Sequence, residues 1–362
     1  MARTMAVSEV PMPHVMTVRG PISPSGLGPT MTHEHIFVDS RHAWSPSPEI
    51  IDSEAADRPF EVRLAGISRW NQSAYRQNLV QSPDDDYELI SEEVGEYVRA
   101  GGGTIVELTT IGLSPAPEAL ARLSADLDLH IVAGTGFYVR ALHPPWVENM
   151  SVSDLTEFLR REVTEGIGGT SIRPGIIGEI GTSETLFDVE ERVLRASARV
   201  AVETDTAINV HCHPPALEVV LRILDILEEE GQPLDRTSLS HLDEITDLDY
   251  HRAVLERGPL VGFDSFGQDG YFEPTWKSKS DQAKLETMLA LAEDGFEDQL
   301  IMAQDMHKKH YLLRYGGFGY NHVLARVVPR MKLTYEVGDQ LIDKLLVTNP
   351  ARLLTRKHEA VQ

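Results

Sequence analysis

The chain has 362 residues, of which 41% are hydrophobic, and its 33 Lys and Arg against 56 Asp and Glu give a formal net charge of -23. This length and apolar content allow a large core, whereas the negative field repels phosphate backbones and anionic lipid surfaces, so neither nucleic acid nor a membrane is expected as a partner. The single cysteine, Cys212, excludes an intrachain disulfide, and no stretch has the apolar length of a signal core or membrane span, which predicts a cytoplasmic protein.

The N-terminal segment, residues 1–30, contains two short extended pieces within VMTVRGPISPSG. The Gly-Pro pair between them is typical of a turn. We therefore predict a β-hairpin that packs on the rim of the main domain.

Eight short runs rich in Val, Ile, Thr and Phe predict strands, and each is followed by a segment with helical spacing of its apolar positions. The predicted strands are Met31 to Phe37, Thr104 to Thr110, His130 to Tyr138, Gly175 to Ile180, Ala207 to His213, Ser238 to Asp243, Leu260 to Phe266, and Leu300 to Met306. The predicted helices are Asp84 to Ala100, Pro115 to Leu127, Val152 to Glu165, Val189 to Glu203, Ala216 to Glu230, Leu248 to Glu256, Ser280 to Asp294, and a closing helix from Glu336 to Leu346.

This alternation favours a parallel sheet covered by outer helices. Eight such units predict an α/β fold of the (β/α)₈ TIM-barrel type, with residues 1–362 forming one domain. A doubly wound open sheet is the structural alternative. Polar residues at the ends of at least five strands favour the barrel, because barrel active sites lie at the C-terminal ends of the strands.

A long loop, Ser40 to Pro83, follows the first predicted strand. It contains Trp44, Trp70 and Arg76 and is too aromatic for a disordered linker. Long connections of this kind arise at the catalytic face, so the loop could form a wall or lid over a site. An insertion or subunit contact without a role in substrate binding is an equal alternative.

The first predicted strand ends in Thr32-His33-Glu34-His35. Alternate strand residues share a face, so His33 and His35 project together, about 7 Å apart, while Glu34 points away. Two imidazoles placed in this way can bind one cation. An HxH pair is a weak signal when it stands alone, but its position at a strand end strengthens it.

The ends of three later strands carry two more imidazoles and a carboxylate, at His211, His241 and Asp305. Each alone has a structural explanation, such as a buried histidine bonded to a carbonyl or an aspartate that caps a turn. Together with His33 and His35 they form a nitrogen and oxygen ligand set that suits zinc or a similar ion.

Glu179 lies between two glycines in the fourth predicted strand, Gly178-Glu179-Ile180-Gly181. Its two oxygens could bridge two cations, whereas a charge left unpaired at the barrel centre would be costly. Two metals are therefore expected, with a bridging hydroxide as the nucleophile because the metals lower the pKa of bound water.

These motifs, taken in order, resemble those of the phosphotriesterase family of the amidohydrolase superfamily. The matching segments are VMTVRGPI, LGPTMTHEHIFVD, GGGTIVELTT, IVAGTGFYV, RPGIIGEIG, SHLDE, YGGFGYNHVL and LLVTNPARLL. RQNL, GGGT, MSVSDLTEFL and Asp305 to His310 are most similar to the phosphotriesterase-related, or resiniferatoxin-binding, proteins. The resemblance implies two ions, one more buried and one more exposed, with Glu179 bridging them. By this resemblance, the ligands of the buried ion are His33, His35 and Asp305, and those of the exposed ion are His211 and His241.

Two departures separate this chain from the organophosphate-degrading enzymes that it resembles. Those enzymes bridge their metals with a carboxylated lysine, where this chain has Glu179. They also relay protons through a histidine near the end of the seventh strand, where this chain has Asp264-Ser265-Phe266. A fast phosphotriesterase is therefore not expected.

The resemblance implies a metal-dependent hydrolase in which Asp305 acts as general base and then acid. Amide hydrolysis of a small N-acyl compound such as an N-acyltaurine is the first choice. A lactonase or esterase is the alternative, a phosphotriesterase is less favoured, and a ligand-binding protein is the non-enzyme hypothesis. The expected cofactors are two divalent ions, Zn²⁺ first and Mn²⁺, Co²⁺ or Fe²⁺ as alternatives, and a homodimer is expected by analogy with the family. Candidate substrate contacts are Tyr138, Arg76, Lys308, Lys309 and His213. A surface or rim position is the alternative for the first four, and a structural role is the alternative for His213.

Overall fold

The structure is a computed structural model that describes residues 12–45, 56–213, 215–273 and 276–357. Short strands alternate with helices along these residues. The strands are β1 (Val15–Thr17), β2 (Gly20–Ile22), β3 (Thr30–Glu34), β4 (Val38–Asp39), β5 (Val80–Gln81), β6 (Thr104–Glu107), β7 (His130–Thr135), β8 (Ile176–Thr182), β9 (Ala207–Cys212), β10 (Thr237–Ser240), β11 (Leu260–Phe263), β12 (Tyr271–Glu273), β13 (Trp276–Lys277) and β14 (Leu300–Met302). The α-helices are α1 (Val62–Ser68), α2 (Tyr87–Arg99), α3 (Pro117–Asp126), α4 (Val152–Thr164), α5 (Asp188–Thr204), α6 (Leu217–Glu229), α7 (Leu248–Leu255), α8 (Asp281–Leu291), α9 (Val328–Thr334), α10 (Asp339–Asp343) and α11 (Asn349–Leu354).

Eight of these strands form a parallel sheet in the order β14-β11-β10-β9-β8-β7-β6-β3. The first and last strands of this order meet, because the Thr32 hydroxyl donates to the Met302 carbonyl at 3.1 Å and the Asp305 N–H donates to the His33 carbonyl at 3.0 Å. The sheet therefore closes on itself with helices outside, which confirms the predicted α/β TIM barrel.

The outer helices pack through apolar stripes. In α5, Val189, Val193, Ala196 and Val200 are buried at intervals of three and four residues, as a core-facing helix requires. The predicted closing helix begins later than expected, at Asp339. Glu336 adopts φ 56° and so interrupts any helix that would start there.

The predicted hairpin is formed by β1 and β2, and it packs at the N-terminal end of the barrel. Val15 is fully buried there with Val132 and Ile176, and the Val18 N–H donates to the Ile131 carbonyl at 2.9 Å. The turn falls at Val18-Arg19 rather than at the Gly-Pro pair, which begins β2 because Gly20 supplies the positive φ of 109°. Residues 1–11 of the predicted N-terminal segment lie outside the described residues.

The insertion between β4 and α2 covers the opposite end of the barrel. Its strand β5 pairs antiparallel with β4, and α1 lies within it. Asn78 accepts a hydrogen bond from the His310 N–H at 2.8 Å, which joins the insertion to the loop after β14. The described part of this segment forms a wall at the C-terminal mouth, which is the position that a wall or lid over a site requires. Residues 46–55 lie outside the described residues. Among the described helices, none has both the length and the apolar character required to cross a bilayer.

Candidate active site

One group of potential metal ligands is formed at the C-terminal mouth by β3, the residue directly after it, and β8. His35 Nε2 lies 3.2 Å from Glu179 Oε1, and His33 Nε2 lies 3.5 Å from Glu179 Oε2. Glu34 points the other way, where its oxygens accept the N–H groups of Gln304 and Met306, each at 2.9 Å. The alternation of the strand therefore places the two imidazoles on the inner face, as expected.

A second group includes Glu179 with the imidazoles that end β9 and follow β10. His211 Nδ1 lies 3.0 Å from Glu179 Oε2, and His241 Nε2 lies 3.0 Å from His211 Nδ1 and 3.9 Å from the same carboxylate oxygen. Because Glu179 belongs to both groups, its carboxylate lies between two clusters of ligand atoms. This is the arrangement that a bridging carboxylate requires.

Asp305 lies beside the first group, in the loop after β14. Its Oδ1 is 3.3 Å from His35 Nε2 and 3.7 Å from His33 Nε2. Its backbone has φ 50°, a left-handed conformation that is uncommon for residues other than glycine. The loop therefore directs this carboxylate inward, next to Glu179.

The side chains present fit a divalent ion pair. His33 Nε2 is buried and has no hydrogen-bond partner, although it faces the oxygens of Glu179 and Asp305. A buried nitrogen without a partner is costly unless another ligand engages it. Imidazole nitrogens and carboxylate oxygens are ligands of zinc and of several other first-row ions, so the two groups suit two such ions.

The direction of Glu179 depends on a glycine. The pairing of β8 with β9 shifts register between Ile177 and Ile180, and Gly178 has φ 146° within this irregularity. A Cβ atom at Gly178 would lie 2.5 Å from the carbonyl oxygen of Asn209, so only glycine fits here. This bulge turns the following carboxylate toward the barrel axis.

The orientation of two of the histidines is set by Asp264, at the end of β11. Its Oδ2 lies 3.2 Å from His33 Nδ1, and its Oδ1 lies 3.1 Å from His241 Nδ1. Ser240 adds a contact of 2.8 Å to His33 Nδ1. Partners of this kind fix the ring that a metal would meet. Asp264 was noted in the sequence only because it stands where related enzymes have a relay histidine, although its position at a strand end also indicated a role in the site.

His35 is held in a similar way. Its Nδ1 lies 3.0 Å from the Thr109 hydroxyl, which in turn donates to Glu107 at 2.5 Å. Both residues come from the end of β6 and the loop after it. Neither residue could be recognised from the sequence, because a Thr and a Glu at a strand end have no distinctive spacing.

Both central carboxyl groups carry charge. Burial alone would raise the pKa of Glu179, but the imidazoles of His211 and His33 hold this pKa well below its usual range. Burial likewise opposes ionisation of Asp305, whereas His307 and His35 lower its pKa well below the usual range. Anionic oxygens are therefore available to cations at neutral pH.

A cavity of about 580 Å³ opens above these groups. Three of the predicted substrate contacts line it: Tyr138, His213 and Lys308. The Tyr138 hydroxyl lies 3.3 Å from His211 Nε2, and burial lowers the pKa of His213 to about 3, so its imidazole is neutral. The insertion contributes Ser40, His42, Ala43 and Ser73 to the wall.

The other two predicted contacts, Arg76 and Lys309, do not line this cavity. Arg76 pairs with Asp57 at 2.7 Å and stacks over the Trp44 ring at 3.7 Å. Lys309 pairs with Asp86 at 2.7 Å and lines a separate cavity. Local carboxylates hold both side chains outside the main cavity. The geometry therefore gives no support to the prediction that Arg76 and Lys309 contact the substrate.

Comparison with known families gives a match over nearly the whole chain. The model of the phosphotriesterase family matches residues 13–354. N-acetyltaurine hydrolases from Xenopus tropicalis and Homo sapiens are each 35% identical to this chain over 347 residues, which cover 95% of this chain and 98% of theirs.

Solved structures of similar proteins also superpose over nearly the whole chain. A resiniferatoxin-binding protein from Rhodobacter sphaeroides superposes with a TM-score of 0.89 at 33% identity, over 94% of each chain. A lactonase from Listeria monocytogenes superposes with a TM-score of 0.77 at 28% identity, over 95% of this chain and 99% of the lactonase.

Proposed function

Because this chain belongs to the phosphotriesterase family and is a hydrolase, we propose that it cleaves the amide bond of a small N-acyl compound of the N-acyltaurine type. The observation that carries this proposal is the convergence of His33, His35, Glu179, His211, His241 and Asp305 on one small volume, in a chain that has N-acetyltaurine hydrolases among its relatives.

The two ligand groups would hold the two metal ions. His33, His35 and Asp305 would hold one ion, His211 and His241 the other, and Glu179 would serve both. Two divalent ions, with Zn²⁺ as the first candidate and Mn²⁺, Co²⁺ or Fe²⁺ as alternatives, would polarise the amide carbonyl and lower the pKa of the attacking water.

Residues of the chain would then transfer the proton and orient the substrate. Asp305 is close enough to the centre to accept the proton of the attacking water and to pass it to the leaving nitrogen, which departs as an amine. Tyr138 and His213 form the wall beside His211 and limit the space for the acyl group. The products from N-acetyltaurine would be acetate and taurine.

The test is a comparison of substrates on one preparation. The purified chain should hydrolyse N-acetyltaurine, lose this activity after dialysis against a chelator, and regain it when Zn²⁺ is restored. An acyl lactone and a phosphotriester are assayed in parallel, because a lactonase is among the structural relatives. A kcat/KM that is higher for the lactone than for N-acetyltaurine would contradict the proposal, and so would full activity after metal removal.

Lys308 is proposed to bind the sulfonate of the substrate. It is the one lysine or arginine among the described residues that line the cavity, and its Nζ donates to Gln72 Oε1 at 3.0 Å, which fixes its position. Burial lowers the pKa of Lys308 to about 7, an effect that Asp305 opposes. An anionic group placed beside Lys308 would favour its charged form.

Replacing Lys308 with Met is expected to raise KM for N-acetyltaurine about 10- to 100-fold, as the loss of a charged hydrogen bond predicts. The matched control is Lys309→Met, which removes the neighbouring cation that pairs with Asp86 outside the cavity. KM for an uncharged analogue, N-acetylethanolamine, should be similar in both variants. An unchanged KM for N-acetyltaurine in Lys308→Met would refute the assignment.

A further inference from the structure

We propose that Gln268, in the loop after β11, is a positioning residue that fixes the carboxylate of Asp305. Gln268 is 1% exposed and lines the cavity. Its Nε2 lies 3.0 Å from Asp305 Oδ2, 2.7 Å from the Asp305 carbonyl oxygen and 2.8 Å from the Gln304 carbonyl oxygen. This inference rests on the role proposed above for Asp305.

This contact gives the two carboxylate oxygens of Asp305 different partners. Oδ2 shares the two hydrogens of Gln268 Nε2 with the carbonyl oxygens of Gln304 and Asp305. Oδ1 faces His35 Nε2 at 3.3 Å and His307 Nδ1 at 3.2 Å. A carboxylate held by only one oxygen could rotate about its Cβ–Cγ bond, since that torsion is soft. Gln268 removes this freedom and presents Oδ1 to the ligand cluster.

Gln268 also stabilises the backbone at Asp305. The left-handed φ of 50° at Asp305 persists only where its surroundings enforce it. Glu34 accepts the N–H groups on both sides of Asp305, and Gln268 donates to the carbonyls of Gln304 and Asp305. Two buried side chains therefore hold this turn, one from its amide side and one from its carbonyl side.

The orientation of the Gln268 amide is itself determined by its neighbours. Oε1 faces the hydroxyl of Tyr311 at 3.4 Å, whereas three acceptors surround Nε2. Only one of the two amide orientations satisfies this environment. Tyr311 donates its single hydroxyl hydrogen to Gln72, which also accepts from Lys308, so Gln268 packs beside the contacts that hold the insertion and the proposed sulfonate contact.

The test uses the full chain and the variant Gln268→Met, which keeps the length of the side chain and removes its donors. Metal affinity is measured by competition with a chromophoric chelator for Zn²⁺. We expect the affinity of at least one ion to fall about 10- to 100-fold, as for other residues that orient metal ligands, and kcat to fall with little change in KM.

Gln299→Met is the matched control. Gln299 donates through Nε2 to the carbonyls of Leu255 and Pro259 at 2.7 and 2.9 Å, at the start of β14 and far from the mouth. Both variants lose backbone hydrogen bonds, so similar shifts in unfolding temperature are expected, but Gln299→Met should keep native metal affinity. In an Asp305→Ala background, Gln268→Met should change metal affinity by no more than about twofold, because coupled residues are not additive.

Metal affinity in Gln268→Met equal to that of the native chain would overturn the inference, and so would an equal loss in Gln299→Met. Because metal affinity is measured without substrate, failure of N-acetyltaurine hydrolysis with a selective affinity loss in Gln268→Met would contradict only the proposed function. A native chain that binds no Zn²⁺ would contradict both.

Discussion

Asp305→Asn is expected to lower kcat for N-acetyltaurine by an amount on the order of 10⁴-fold, the upper range for loss of a general acid and base. The amide has nearly the same shape as the carboxylate and can still accept the hydrogen bond from Gln268 Nε2. It cannot take a proton from water, and it carries no charge to present to His35 and His33. The loss should therefore appear in turnover rather than in folding.

The measurement is steady-state kinetics with metal content determined on the same samples. Asp281→Asn is the control, because Asp281 also pairs with a histidine, His322 Nε2 at 2.6 Å, but lies outside the lining of the main cavity. Its kcat should stay close to that of the native chain. Near-normal turnover in Asp305→Asn would refute the role assigned to this carboxylate.

Much of the candidate metal centre could be predicted from strand ends. In a parallel barrel all strands end at the same mouth, so ligand residues at the ends of strands far apart in sequence are brought together by topology alone. His33 and His35 share a face because of the two-residue period of a strand, and the structure places both beside Glu179. The sequence pattern is therefore informative where regular geometry determines the side-chain direction.

Side chains in loops were less predictable, because their direction depends on partners elsewhere in the fold. Arg76 and Lys309 were expected to contact the substrate, but Asp57 and Asp86 hold them outside the main cavity. Gln268 was missed for the same reason, since nothing in a loop glutamine indicates that three acceptors will surround its amide. Charge and residue type alone do not specify such pairings.

The two ends of the barrel also differ in how well they were predicted. The hairpin was expected from local turn signals, yet its turn lies at Val18-Arg19 because β1 pairs Thr17 with Gly20. The insertion was identified only as long and aromatic. Its place over the mouth depends on contacts of Gln72 and Asn78 with the loop after β14, which no periodicity reveals.

Glu179→Gln is expected to leave the chain with fewer than two tightly bound ions and to lower kcat about 10³-fold, equivalent to several kcal/mol of lost transition-state stabilisation. Glu179 Oε2 lies 3.0 Å from His211 Nδ1 and 3.5 Å from His33 Nε2, while Oε1 lies 3.2 Å from His35 Nε2. The amide would replace one of these anionic oxygens with an N–H donor, which cannot bind a cation.

Metal content and kcat together distinguish the bridging role of Glu179 from a structural one. Glu162→Gln is the control, because Glu162 is also a buried carboxylate but accepts from the Thr135 hydroxyl and the Gly168 N–H, each at 3.0 Å. It should keep both ions and native kcat even if its unfolding temperature falls. Two tightly bound ions in Glu179→Gln would contradict the bridging role, because a neutral amide has one oxygen in place of the two anionic oxygens that a bridging carboxylate offers to the ions.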